Sequence, residues 1–157
     1  MVGLVRYTPL RRVPTFIRLW TEELNSPLDV PVEGVAASAL TDTWGAARSD
    51  GRTHEGIDIF APCAHPIVSS TEGFVVRLGE NTLGGQVVWV LGPSGSRHYY
   101  AHLSRYGDVR AGDYVQPGDT LGFVGSTGNA QGTPCHLHYG IYINGEAQNP
   151  FPYLVLR

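Results

Sequence analysis

The sequence predicts an all-β fold, a compact antiparallel β-sandwich or partly open barrel, preceded by a short N-terminal helix or arm. Three observations predict it. From about residue 54, short apolar stretches alternate with turn sequences such as Gly84-Gly85 and Pro117-Gly118. No helical pattern interrupts them, which favours antiparallel pairing over a parallel sheet. The 157 residues also include 20 glycines and 11 prolines, as many turns require.

The first third of the chain differs from the rest. Residues 14–24 are predicted to form a short amphipathic helix, because Phe16, Leu19, Trp20 and Leu24 follow helical spacing and Pro14 suits a helix start. Residues 25–53 are loop-rich. We expect residues 1–39 to be an N-terminal arm and residues 40–157 to be one folded domain. Residues 1–20 lack the apolar segment and cleavage site of a signal peptide.

Seven short strands are predicted in the remaining chain, with a hairpin formed by the stretches around Val88 and Tyr99. They span residues 56–60, 66–70, 73–79, 85–91, 96–103, 119–124 and 136–143.

Composition excludes two classes of partner. The net charge of −3 provides no basic surface for nucleic acid. No stretch of 18 or more apolar residues indicates a membrane span. We expect a monomer.

Two clusters, His54 to Asp58 and His136 to His138, indicate a metal site. Imidazole and carboxylate are the ligands that zinc takes when thiolates are absent, and three protein ligands leave the fourth position open, as catalytic zinc sites do. His102, between the clusters, could handle a proton beside such a site. The residues alone leave open which of the two histidines in His-Leu-His binds the metal.

Spacing sets a geometric condition on this site. On a strand, His136 and His138 point to the same side with Cα atoms roughly 6.6 Å apart. His54 and Asp58 would lie about 13 Å apart on a regular strand, too far to share one ion. We therefore predict a bend or bulge near Gly56, where the missing Cβ makes distortion easy.

Strand alternation predicts the neighbours of the site. His98, Tyr100 and His102 would share one face, so His98 and Tyr100 are expected to line the groove with His102. Alternation also turns Glu55 away from the face of His54, which argues against Glu55 as a general base. His65 receives no role.

The chain has two cysteines. Cys63 follows the first of the two clusters, and Cys135 directly precedes the second. Alternation turns Cys135 away from His136 and His138, so it is not expected to bind zinc. If the two strands are neighbours, the cysteines either form a disulfide or remain two buried thiols, and a disulfide would favour an oxidising compartment.

These motifs resemble one family. His-Glu-Gly-Ile-Asp, Tyr-Ala-His-Leu, Val-Arg-Ala-Gly-Asp-Tyr-Val-Gln-Pro-Gly-Asp-Thr-Leu-Gly, Gly-Ser-Thr-Gly and His-Leu-His-Tyr-Gly occur in the order seen in lysostaphin-type (LytM-like) zinc endopeptidases, over roughly residues 40–153. Members of that family cut peptide bonds in bacterial peptidoglycan. The resemblance implies a groove whose floor holds Zn²⁺, a peptidoglycan peptide as substrate, and the cell envelope as location.

The resemblance also implies roles for individual residues. His54, Asp58 and His138 would bind zinc, and His102 and His136 would be catalytic, one taking the proton of water and the other stabilising the oxyanion. Some members place a tyrosine upstream of the first ligand. Here that region is Trp44-Gly-Ala-Ala-Arg48, without tyrosine, and Arg48 would supply a cationic donor to the substrate instead.

The chain departs from the family pattern in the longer stretch between Gly128 and His136 and in its two cysteines, whose joint presence favours the disulfide. The main alternative function is a non-catalytic module that binds cell wall or activates another hydrolase. A zinc hydrolase that acts on an unrelated small peptide or amide is another alternative. A lipoyl-type carrier, suggested by Val-Gln-Pro-Gly-Asp-Thr-Leu-Gly, is excluded because the chain has no lysine to modify.

Overall fold

The computed structural model describes residues 9–155, with side chains from residue 13 onward. Helices α1 (Pro9–Thr21) and α2 (Phe151–Leu154) stand before and after the strands. The strands are β1 (Ile57–Phe60), β2 (Pro66–Val68), β3 (Gly73–Asn81), β4 (Gly85–Leu91), β5 (Arg97–Tyr106), β6 (Tyr114–Val115), β7 (Thr120–Val124), β8 (His136–Ile143) and β9 (Glu146–Gln148).

All nine strands pair antiparallel in a single sheet that does not close, which confirms the predicted fold class. The main path runs β1-β8-β5-β4-β3-β6, while β7 joins β2 to β5, and β9 pairs with β8. All seven predicted strands are present, and β4 and β8 have the predicted bounds. Strands β6 and β9 were not predicted, since two and three residues are too short to show a period-two pattern.

The N-terminal helix exists, but the predicted range is wrong. It begins at Pro9 and ends at Thr21, so Pro14 lies inside the helix rather than at its start. Leu19 is buried and Phe16 contacts Phe74, with ring centroids 6.3 Å apart. The helix therefore packs beside the start of β3 and next to the turn at Gly95, which Trp20 approaches. Leu24 lies beyond the end of the helix.

The hydrophobic core includes residues from the loop-rich segment before β1. Leu28 and Val32 are buried in it, and Val32 bridges to Ile67 of β2. The predicted boundary between residues 39 and 40 remains a prediction. Within residues 9–155 no helix is both long and apolar enough to cross a membrane.

A β-bulge at Ala101 and His102 shapes the region that faces the site. Between Val88 and Gln86 of β4 there is one residue, whereas two residues separate the matching positions Tyr100 and Leu103 of β5. The extra residue is accommodated by His102, whose φ is 68°. At this point β5 changes partner, from β8 at Ala101 to β7 at Leu103.

The cysteines form a disulfide. Cys63 lies in the turn after β1 and Cys135 directly precedes β8, and their Cα atoms are 5.3 Å apart. Because Phe60 pairs with His136 across β1 and β8, the disulfide lies just beyond the end of that strand pair.

Candidate metal centre and groove

Three side chains from the two predicted clusters meet at one point. The Nε2 atom of His54 lies 3.0 Å from the Oδ1 atom of Asp58 and 2.8 Å from the Nδ1 atom of His138. The remaining distance, from His138 Nδ1 to Asp58 Oδ1, is 3.4 Å. We call His54, Asp58 and His138 the ligand triad.

The ligand triad suits a small divalent cation. Ligand atoms about 2.0–2.1 Å from a tetrahedral zinc ion lie roughly 3.3 Å from one another, close to the separations in this structure. Two imidazole nitrogens and one carboxylate oxygen are also a donor set that zinc takes in catalytic sites. Among the described residues, this is the one group of histidine, cysteine and acidic side chains arranged to hold a metal.

Sheet register and one bend bring the triad together. Asp58 of β1 pairs directly with His138 of β8. His54 lies before β1, where its backbone N–H donates to the Ala46 carbonyl at 2.9 Å. The chain bends at Gly56, as predicted, so that His54 turns back toward Asp58. A Cβ on Gly56 would lie 2.5 Å from the Tyr139 carbonyl oxygen and 2.7 Å from His138 Cε1, so only glycine fits this close approach.

Thr43 fixes the orientation of two members of the triad. Its carbonyl accepts a hydrogen bond from His54 Nδ1 at 2.8 Å, which leaves the Nε2 lone pair directed at the centre. Its hydroxyl oxygen accepts a bond from the Asp58 backbone N–H at 2.9 Å. Sequence reasoning missed Thr43, because a threonine in a loop carries no motif of its own.

Two further histidines, His102 and His136, stand beside the triad, and we call them the histidine pair. Their ring centroids are 5.0 Å apart, and His136 Nε2 lies 3.9 Å from Asp58 Oδ1. His102 Nδ1 donates to the Thr127 carbonyl at 2.8 Å, and His136 Nδ1 donates to the Pro134 carbonyl at 3.0 Å. Both bonds assign the ring proton to Nδ1 and leave Nε2 as the acceptor.

Both carbonyls belong to the loop between β7 and β8, residues 125–135, which we call the wall loop. One loop therefore orients both members of the histidine pair. Sequence reasoning missed this, because backbone carbonyls at Thr127 and Pro134 leave no mark in the pattern of residue types.

Burial favours the neutral form of two of these imidazoles, His102 and His138. It lowers the pKa of His102 to about 4 and also lowers the pKa of His138. Burial alone would raise the pKa of Asp58, but its contacts with His138 and His54 outweigh burial and hold the pKa well below its usual range. The lowered pKa values favour an ionised carboxylate at Asp58 and a neutral imidazole at His138, the protonation states in which these two residues bind a metal.

The structure contradicts the prediction that His98 and Tyr100 line the groove. Both are fully buried on the opposite face of β5. His98 Nδ1 bonds to the Tyr139 hydroxyl at 2.7 Å, and the Tyr100 hydroxyl accepts a bond from the Ser70 backbone N–H at 3.0 Å. The bulge is the reason: its extra residue places His102 on the face of Tyr99 and Ala101 instead.

Arg48 reaches the site through the ligand triad. Its Nη2 atom donates to Asp58 Oδ2 at 3.0 Å, on the side of the carboxylate away from His54 and His138. Glu55 is exposed at the groove edge and makes no hydrogen bond or ion pair with the triad in the described part of the chain. This agrees with its rejection as a general base.

A groove of about 900 Å³ runs over the centre. Three aromatic side chains, Trp89, Tyr99 and Tyr142, line it on the sheet side, with the Trp89 and Tyr99 ring centroids 4.4 Å apart. Phe60 lines it next to His136, with ring centroids 5.1 Å apart. An extended peptide could lie in this groove across the ligand triad.

The chain is similar in sequence to several known peptidases. Residues 52–150 match the model of Peptidase family M23. The chain is 40% identical over 124 aligned residues to an L-Ala--D-Glu endopeptidase of Bacillus subtilis, covering 71% of this chain and 38% of that protein. It is 38% identical over 117 residues to the DD-carboxypeptidase/endopeptidase Mpg of Neisseria meningitidis, covering 74% of this chain and 25% of that protein. The chain thus spans well under half the length of these two curated relatives.

A solved structure has the same fold. The catalytic domain of the antimicrobial peptidase lysostaphin from Staphylococcus simulans superposes with a TM-score of 0.66 at 31% sequence identity, covering 75% of this chain and 94% of that domain.

Proposed function

The chain belongs to Peptidase family M23, and on that premise we propose that it is a zinc-dependent endopeptidase that hydrolyses peptide bonds in bacterial peptidoglycan. The substrate is supported by relatives whose names describe endopeptidases, one of them specific for an L-Ala--D-Glu bond. A peptidoglycan substrate implies that the protein works in the cell envelope, periplasmic or secreted. We propose residues 40–157 as the peptidase domain, acting as a monomer.

The observation that carries the proposal is the juxtaposition of the ligand triad with the histidine pair. His54, Asp58 and His138 would hold the zinc ion, and His102 and His136 would remain unbound beside it. A non-catalytic binding module would need the groove alone. It would not need two imidazoles whose Nδ1 atoms bond to backbone carbonyls and whose Nε2 atoms remain available.

Zinc bound by the triad would supply a Lewis acid that polarises the scissile carbonyl and acidifies water. The histidine pair would manage the protons. One Nε2 accepts the proton of the attacking water and later returns it to the leaving amine. The other imidazole, once protonated at Nε2, would donate to the oxygen on which negative charge develops. His102 and His136 are held by the same kind of hydrogen bond, so either histidine can take either role.

Arg48 is proposed to contribute through Asp58. Arg48 donates to Oδ2 of Asp58, which leaves Oδ1 directed at His54 and His138, where the metal would bind. Its guanidinium also lines the groove, so it remains a candidate contact for substrate.

The test is digestion of purified peptidoglycan, followed by mass analysis of the released fragments. Sacculi with glycine bridges and sacculi with direct stem-peptide cross-links are treated in parallel with wild type and with His102→Ala. We expect zinc-dependent release of peptide fragments by wild type, a mass gain of one water at the cut bond, and no release by the variant. Binding to sacculi without any release by the zinc-loaded wild type would support the alternative of a non-catalytic cell-wall module. Cleavage of small peptides or amides without release from either kind of sacculus would support the other alternative, a hydrolase with an unrelated substrate.

A further inference from the structure

We propose that the Cys63–Cys135 disulfide is a positioning element for His136. It holds the second half of the wall loop so that the Pro134 carbonyl keeps His136 in the tautomer that turns Nε2 into the groove. This inference rests on the proposed function, in which His136 is one of two catalytic histidines.

The first half of the wall loop is fastened to the sheet by hydrogen bonds. The Thr127 hydroxyl donates to the Leu103 carbonyl at 2.7 Å and accepts from the Gln86 backbone N–H at 3.1 Å. The Asn129 backbone N–H donates to the Leu83 carbonyl at 3.0 Å. The carbonyl that orients His102 therefore lies in a segment with several independent anchors.

The second half, residues 131–135, lacks comparable anchors. The Gln131 and Thr133 backbone N–H groups donate to Gly128 and Ala130, inside the loop itself. Residues 131–134 are all exposed. The bond from His136 Nδ1 to Pro134 joins this half to β8, where Cys135 is also linked to His136 by the chain itself. The disulfide is the further attachment, and it ties this half to a second part of the protein.

The other end of the disulfide is well fixed. Cys63 lies in a turn whose Ala64 N–H donates to the Val124 carbonyl at 2.8 Å, and the Val124 N–H donates to the His65 carbonyl at 2.8 Å. The turn is thereby held against the end of β7. Cys135 is adjacent to Pro134, so fixing Cys135 also fixes the direction of the Pro134 carbonyl.

The two halves of the wall loop make an internal comparison possible. Opening the disulfide should release Pro134 from His136 but leave Thr127 bonded to His102. A disulfide that acts only on overall stability would affect both histidines alike or neither. The tautomer of each histidine, read from ¹⁵N and long-range ¹H–¹⁵N spectra, therefore separates positioning from general stabilisation.

The experiment uses the folded, zinc-loaded protein before and after treatment with a water-soluble phosphine. The phosphine takes oxygen from water and becomes the phosphine oxide, while the disulfide gains two electrons and two protons and becomes two thiols. Cys63 is exposed, so the reagent has access. We expect the His136 signals to move from the Nδ1–H tautomer to an average of both tautomers. The His102 signals should stay unchanged, and zinc content should stay constant.

A variant serves as the matched control. The Cys63→Ser/Cys135→Ser double variant should reproduce the reduced spectrum without reductant and should not respond to phosphine. Unchanged His136 signals after complete reduction, verified by thiol titration, would overturn the proposal. Equal changes at His102 and His136, or loss of zinc on reduction, would also overturn it, because the effect would then be global.

Activity gives a second readout. Because a misplaced proton-transfer group affects the chemical step more than binding, reduction should lower kcat about 10- to 100-fold and change KM by less than about twofold. If the oxidised protein cleaves no peptidoglycan, the proposed function fails, whereas the spectra still decide the positioning of His136. A fall in kcat without any change at His136 would contradict the positioning role.

Discussion

The ligand triad and the histidine pair face the same groove but are built from different kinds of backbone. The triad depends on regular strand pairing, with Asp58 directly opposite His138, and on one bend at Gly56. The histidine pair depends on irregular backbone: His102 lies in a bulge with positive φ, and both rings are oriented by carbonyls of the wall loop. Metal binding should therefore depend on the strand pairing of the sheet. Proton transfer should depend on the bulge in β5 and on the wall loop.

The largest expected effects come from substitutions that separate the ligand triad from the histidine pair. His138→Ala removes a metal ligand, so both zinc binding and turnover should be lost. His102→Ala leaves the ligand triad intact, so zinc should stay bound while turnover falls about 100- to 10,000-fold. Zinc per chain by elemental analysis and release of peptidoglycan fragments are the two measurements. Zinc loss in His102→Ala, or retention of full zinc in His138→Ala, would show that the division is wrong.

A smaller perturbation tests the strand-based half alone. In Gly56→Ala the added Cβ would lie 2.5 Å from the Tyr139 carbonyl oxygen and 2.7 Å from His138 Cε1, and the backbone atom cannot move freely. We expect zinc affinity to fall about 10- to 100-fold, as for other changes that misalign a ligand. The control is Gly79→Ala, whose nearest contact would be a flexible arginine at 3.6 Å. Affinity is measured by competition with a chelator, and equal affinity in the two variants would contradict this reading of Gly56.

The buried face of β5 gives a prediction about stability rather than about the site. Burial lowers the pKa of His98 to about 3 from 6.5, so the unfolded chain binds more protons at His98 between these values. The stability that this group contributes is complete above pH 6.5 and is lost as the pH falls toward 3.

At pH 5 the loss from His98 amounts to about 2 kcal/mol relative to pH 7.5. Urea unfolding of wild type and of His98→Gln at both pH values measures it. The wild type should lose about 2 kcal/mol more than the variant. Parallel losses in the two proteins would mean that His98 is not buried as a neutral imidazole.

The smallest expected effect concerns Arg48. Its guanidinium is about one-third exposed, with 34% of the side-chain area accessible, so solvent weakens its pair with Asp58. Arg48→Gln should weaken zinc binding about three- to tenfold by loosening the Asp58 carboxylate. Arg52→Gln is the matched control, since Arg52 makes no ion pair within the described residues. The zinc affinity of this variant should match that of the wild type. Equal affinities in both variants would assign Arg48 to substrate alone.

The sequence predicted the parts of the site that depend on regular structure. Period-two spacing placed His136 and His138 on one strand, and the impossible reach from His54 to Asp58 on a straight strand required the bend at Gly56. The same logic failed on β5. It placed His98 and Tyr100 beside His102, because alternation holds only where no residue is inserted, and nothing in Tyr-Ala-His-Leu signals a bulge.

Contacts made by backbone atoms were also beyond prediction. Thr43, Thr127 and Pro134 orient the three histidines His54, His102 and His136 through backbone carbonyls, which every residue carries, so these contacts become visible only with the fold. The disulfide was predictable only in part. The sequence could bring Cys63 and Cys135 near each other, whereas the bond required the pairing of β1 with β8.

The most direct test is a crystal structure of the zinc-loaded protein, with anomalous diffraction recorded on both sides of the zinc absorption edge. We predict one zinc peak, about 2.0–2.2 Å from His54 Nε2, Asp58 Oδ1 and His138 Nδ1, with His102 and His136 unbound beside it. A zinc ion bound by His102 or His136, or no zinc peak at the ligand triad, would contradict the account.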